Sequence, residues 1–109
     1  MATFILQGRF STDAIKGMVA NPEDRGEVIE KLTAACGGRL KDYYLTTGEN
    51  DFIVIVEADD GEAAVIEGMV VAAAGAVSKV TTTRAWTTAE FKKMAERARE
   101  VAGAYKPPG

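Results

Sequence analysis

Residues 52–56 read Phe-Ile-Val-Ile-Val, five apolar positions without a polar break. A strand with one face in water alternates apolar and polar side chains, so this strand is expected to bury both faces. Residues 2–10, Ala-Thr-Phe-Ile-Leu-Gln-Gly-Arg-Phe, are aromatic and branched and predict a first strand, with Ser11 as a cap or turn residue. Ile15, Met18 and Val19 then follow at helical spacing. Asn21-Pro22-Glu23-Asp24 predicts a fresh helix start, with Asn21 capping and Pro22 in the first turn. Val28, Ile29, Leu32, Ala35 and Cys36 line one face of that helix, and Gly37-Gly38 ends it.

The pattern returns to strands over residues 39–47 and 52–58, joined by the turn Gly48-Glu49-Asn50-Asp51. Asp59 or Asp60 is placed to cap a helix whose core stripe is expected to be Val65, Ile66, Met69, Val70, Ala73 and Ala74. The small residues Ala64, Gly68, Val71, Ala72 and Gly75 lie roughly opposite and are expected to receive another helix. Residues 76–86 predict a fourth strand. The last helix opens on a capping box, Thr87 with Glu90, and carries a stripe of Phe91, Met94, Ala95, Ala98, Val101, Ala102 and Tyr105. Lys92, Lys93, Glu96, Arg97, Arg99 and Glu100 form its solvent side, and residues 106–109 a short extended tail.

The order is βαββαβ plus a C-terminal helix. It predicts one α+β domain over residues 1–109, a ferredoxin-like four-stranded antiparallel sheet with two helices on one face. Phe52, Val54 and Val56 then meet the helices, while Ile53 and Ile55 point to the bare face. Each large side chain left in water there forgoes roughly 1.5–3 kcal/mol. The last helix or a second subunit must cover them. We expect the subunit, with Ile53 and Ile55 as the oligomer interface of a homodimer or larger assembly.

Composition narrows the chemistry. The chain has 109 residues, 47% hydrophobic and 27% charged, with a net charge of −3. It has no basic block, so nucleic acid is not an expected partner. The longest apolar run, residues 69–77, is far short of a membrane span. No signal peptide is visible, and the single cysteine fits a reducing cytoplasm. With no histidine, a histidine-ligated haem, a His-rich zinc site and a Ser-His-Asp triad fall away, and we expect no cofactor and no metal.

The remaining polar candidates each have two readings. Gly48, Asn50 and Asp51 suit a hairpin turn; the functional alternative makes Asp51 a carboxylate at a pocket mouth, a general base. Gln7 and Arg9 alternate with apolar residues on the first strand. Arg9 is either ion-paired at the strand end or part of an anion clamp. Arg84 and Trp86 form a similar pair on strand four, and Tyr43 and Tyr44 point to opposite faces. Gln7, Arg9, Tyr44, Asp51, Arg84 and Trp86 are thus the candidate lining of a pocket for a small aromatic or acidic ligand. Cys36 reads as a packing thiol, and Asp59, Asp60 and Glu62 as helix-start residues rather than a metal cluster.

The opening strand Thr-Phe-Ile-Leu-Gln-Gly-Arg-Phe-Ser, the hairpin over residues 37–58 and the closing Val-Thr-Thr-Thr-Arg-Ala-Trp-Thr-Thr-Ala-Glu-Phe resemble the GYD-domain family, over about residues 2–97. That family is named for a Gly-x-Tyr-Asp turn. Gly48 and Asp51 match it, and Asn50 stands where the tyrosine would be. The resemblance implies a dimeric α+β barrel, paired through the sheet faces, with no settled biochemical function. Three functions remain in view: a homo-oligomeric small-ligand-binding or regulatory domain, a cofactor-independent enzyme of monooxygenase or isomerase type, and a purely structural interaction module.

Overall fold

The computed structural model describes residues 1–109. Its elements are β1 (Ala2–Phe10), α1 (Thr12–Ala20), α2 (Gly26–Ala35), β2 (Arg39–Leu45), β3 (Phe52–Ala58), α3 (Glu62–Ala73), β4 (Val77–Ala85) and α4 (Thr88–Val101), followed by a 3₁₀ turn at Ala102–Ala104. The strands form one antiparallel sheet in the order β2-β3-β1-β4. This is the expected α+β, ferredoxin-like arrangement, with the two most apolar strands in the centre.

The register separates the two faces. Phe4 pairs with Val56 and Leu6 with Val54, and these side chains are buried beneath α2 and α3 with Phe52, Ala58 and Ala64. On the other face Ile5 pairs with Ile55 and Gln7 with Ile53, all half-buried. Gly8 is required by its neighbours: a Cβ there would lie 2.0 Å from the Lys79 carbonyl oxygen. A register shift between Arg9 and Phe10 follows directly.

Two local expectations are corrected. Asn21 does not cap α2. It closes α1, its N–H donating to the Gly17 carbonyl, and α2 starts only at Gly26. The cause is Pro22, which disfavours helical geometry in the residue before it; Asn21 sits at φ −142°, ψ 76°. Asp24 instead accepts from the Gly26 N–H at 2.8 Å.

The second correction concerns α3, which is rotated against expectation. Ala64, Glu67 and Gly68 are its buried residues, while Val65, Ile66, Met69 and Val70 are exposed, Met69 to 65%. Of the small face, Ala64 and Gly68 are buried, Gly68 against β4, while Ala72 and Gly75 stay exposed, so the face does not receive another helix along its length. A Cβ built on Gly68 would already touch the Val80 methyls at 3.8 Å. Small side chains let the helix settle close to the strands, and that contact outweighs the larger stripe, which is apolar but bulky.

The capping box of α4 forms as expected: Thr87 Oγ1 accepts from the Glu90 N–H at 3.1 Å, and the Glu90 carboxylate from the Thr87 N–H at 2.8 Å. Yet α4 has no buried residue and packs closely only on the 3₁₀ turn that continues it. It projects from the sheet layer and stretches the chain to 59 × 32 × 22 Å. The radius of gyration is 17.6 Å, against about 13 Å for a compact chain of this length.

Candidate functional site

The six candidate pocket residues lie in three separate places. Gln7 and Tyr44 share the bare face of the sheet, in one row across it, since Gln7 and Tyr44 both pair with Ile53. Arg84 pairs with Phe4, so it belongs to the helix-covered face. Its guanidinium lies 4.6 Å from the centre of the Trp86 ring and 5.5 Å from that of Phe4, a cation–π stack at the far end of the strand. Arg84 and Trp86 are therefore paired as read from sequence. The pleat and the register keep them from Gln7, Arg9 and Tyr44, so one chain does not gather the six into a single pocket.

Arg9 and Asp51 meet at the hairpin turn. Arg9 Nη1 donates to the Glu49 carbonyl at 2.8 Å. Asp51 Oδ2 accepts from the Phe10 N–H at 2.9 Å, and the Asp51 N–H donates to the Gly8 carbonyl at 2.7 Å. Thr46 N–H closes the turn on the Asp51 carbonyl at 2.8 Å. Gly48 takes φ +91°, which only glycine adopts without strain. Asp51 is thus a clamp that satisfies a backbone donor freed by the β1–β4 register shift. The turn reading accounts for every contact of this carboxylate. Beside it, Asn50 Oδ1 is buried without a donor, where burial without a bond costs about 1–3 kcal/mol.

Two surfaces remain available for function. The first is the bare sheet face, with Ile5, Ile53 and Ile55 at its centre and Arg39 paired with Glu57 at its rim. No helix of the same chain lies over it. The second is a cleft of about 470 Å³ between the sheet and the three helices α1, α2 and α3. Its walls are largely apolar, with Leu6, Phe10, Phe52, Val54, Val77 and Val80 among them.

Glu67 reaches into this cleft from α3, although it is only 3% exposed. Its Oε2 lies 3.1 Å from Thr33 Oγ1. Burial pushes its carboxyl above the ordinary range, and the Thr33 hydrogen bond works in the opposite direction. Burial also raises the phenol of Tyr43, which lines the cleft; the Arg25 charge partly offsets this. Cys36 is half-buried, its thiol pushed up by burial and then by the Glu67 charge, which makes it a poor nucleophile. Sequence reasoning missed Glu67 as a site residue. The available signal was its isolation: Glu62 and Glu67 are the only charges in an otherwise apolar helix.

An antiparallel β2-β3-β1-β4 sheet with helices packed on one face defines a ferredoxin-like α+β domain. The chain belongs to the GYD domain family, which matches residues 4–95. It is similar to a protein of Thermus thermophilus named glutamine synthetase and cystathionine beta-lyase binding protein. The two are 32% identical over 81 residues, covering 74% of this chain and 85% of the relative. Among solved structures, it is similar to FFRP-DM1 at a TM-score of 0.47 and 19% identity, covering 79% of this chain and 100% of that one. TTHA0845, also of Thermus thermophilus, matches at 0.44 and 19%, covering 81% and 96%. No helix is long and apolar enough to cross a membrane.

Proposed function

We propose that this protein is a self-associating binding module that regulates other proteins by engaging them, and that it assembles as a homodimer or larger oligomer through the bare face of its sheet. The observation that carries the reading is the amount of surface left open. The isolated chain exposes 7636 Å², against about 5,800 Å² for a compact monomer of its mass. The excess, about 1,800 Å² on one chain, is about twice the roughly 800 Å² that each partner contributes to a standard protein–protein interface. It includes two apolar surfaces without a partner, the Ile53–Ile55 face and the Phe91–Met94 stripe of α4.

The similarity to a protein named for binding two enzymes supports protein partners over a catalytic role. So does the dispersal of the polar candidates, which leaves no converged nucleophile and base on the bare face. We place this activity in a reducing cytoplasm, in keeping with the single unpaired cysteine.

Sedimentation velocity at micromolar concentration tests the assembly. The expected species has twice the chain mass of 11.6 kDa or a higher multiple. A monodisperse monomer would overturn it.

A further inference from the structure

A buried carboxyl group in an apolar cleft needs a reason to be there. Glu67 is only 3% exposed, and a single protein group bonds its side chain. That group, the Thr33 hydroxyl, has one hydrogen and two acceptors within reach: the Ile29 carbonyl at 2.9 Å and Glu67 Oε2 at 3.1 Å. The one hydrogen serves one acceptor at a time, so Glu67 Oε2 shares its only protein donor with a backbone carbonyl. The other oxygen, Oε1, has no protein donor, and the Glu67 residue lines the cleft.

The groups around Glu67 supply no free cation. α2 presents Thr33 and Cys36, and β2 presents Tyr43. β1, β3 and β4 present only apolar side chains such as Leu6, Val54 and Val80. At the mouth stand Asp13, Glu23 and Arg25, and Arg25 is held by Glu23 at 2.7 Å. The site is thus an apolar slot with an unmatched acid at its depth and a surplus of acid at its entrance. Its volume of about 470 Å³ falls within the roughly 300–1,000 Å³ of small-molecule sites.

We propose that this cleft binds a small primary amine with an apolar or aromatic body, the body against Leu6, Phe10, Phe52 and Val54 and the ammonium on Glu67. The ligand arrives as its ammonium and the complex is a carboxylate–ammonium pair; whatever proton the free Glu67 carboxyl holds leaves to solvent. A charge-assisted hydrogen bond is about twice as strong as a neutral one, so the amine is preferred over an alcohol of the same shape. This site lies within a single chain and on the opposite side of the sheet from the proposed assembly face. It stands or falls separately from that reading.

Phenethylamine and phenethyl alcohol, nearly identical in shape, provide the test by titration calorimetry on the full chain. The amine is expected to bind at least about tenfold more tightly, or 1.4 kcal/mol. Glu67→Gln keeps the size of the side chain and should bring the amine down to the affinity of the alcohol, with an unchanged sizing profile. The Glu67 carboxyl ¹³C resonance in the parent protein gives a second readout, independent of any variant, and should shift saturably as amine is added. Equal affinity for amine and alcohol would overturn the proposal. So would an amine affinity indifferent to Glu67→Gln, an unmoved carboxyl resonance, or no saturable binding of the amine.

Discussion

Val56 and Ile55 are neighbours in the chain and opposites in the fold. Val56 is 1% exposed, under the helices and among Phe4, Leu40 and Ala58. Ile55 pairs with Ile5 on the face that no helix covers. Both are branched, apolar and set in a central strand, so composition cannot tell them apart. The difference teaches that a strand apolar on both faces announces two contacts, of which the chain itself makes only one. The first face builds the domain. The second is left for something else, and the α3 and α4 stripes show the same unpaired surface on helices.

Substituting the two neighbours alike is the strongest way to break this comparison. Val56→Asp buries an unpaired carboxylate in the only apolar core of the sheet, a cost of several kcal/mol. It is expected to abolish cooperative unfolding, read by circular dichroism. Ile55→Asp puts the same charge on the bare face, where a lone chain leaves it in water. The expected loss is of self-association, with the fold kept, and a sizing column coupled to circular dichroism separates the two. If Ile55→Asp elutes like the parent, the assembly face lies elsewhere.

Glu67 sharpens the comparison from within the covered face, since it is the one acid buried there. Its folded-state titration point is raised by burial. The folded protein therefore holds that proton more tightly than the unfolded chain does. Stability is greatest below the free-Glu value of about 4.3 and declines as the pH rises from there through the raised point. Glu67→Gln removes this contribution. The difference in melting temperature between about pH 4.5 and about pH 8 should therefore shrink in this variant. An unchanged pH profile would mean that Glu67 is ionised and paired in the folded state.

The smallest effect is expected on the solvent side of α4. Lys93 is exposed and makes no ion pair, unlike its neighbour Lys92, which meets Glu96 at 2.8 Å. Lys93→Asp should change stability by less than about 0.5 kcal/mol and leave the assembly intact. A shift in oligomeric state from this variant would place the polar side of α4, rather than its apolar stripe, in an interface.

Much of this architecture is legible in the chain. The two-residue period of side chains along β1 and β3 is a local property of a pleated backbone, so the residues that share a strand face could be grouped from sequence and are found so grouped. The Thr87–Glu90 box and the positive-φ glycines at Gly37 and Gly48 are likewise local, because each depends on a few adjacent bonds. The rotation of α3 was not legible. Its residues are apolar on nearly every side, so periodicity alone gave no direction, and the burial of Ala64 in the core with the close fit of Gly68 against β4 decided it. That rotation carried Glu67 inward and made the cleft.

The placement of the polar candidates divides in the same way. Side-chain type and strand alternation marked Gln7, Arg9, Tyr44, Asp51, Arg84 and Trp86 as worth attention. Their grouping depended on strand register, which is set by long-range pairing. Arg84 opposite Phe4 goes to the helix face, and Gln7 opposite Ile53 to the bare one. Sequence by itself determined the elements, their order and the doubly apolar strand, because those follow from short-range chemistry. Only tertiary structure decided which helix face meets the sheet, where each polar side chain lands, and that a single carboxyl is left without a cation at the bottom of an apolar cleft. Those outcomes depend on shape and pairing between residues far apart in the chain.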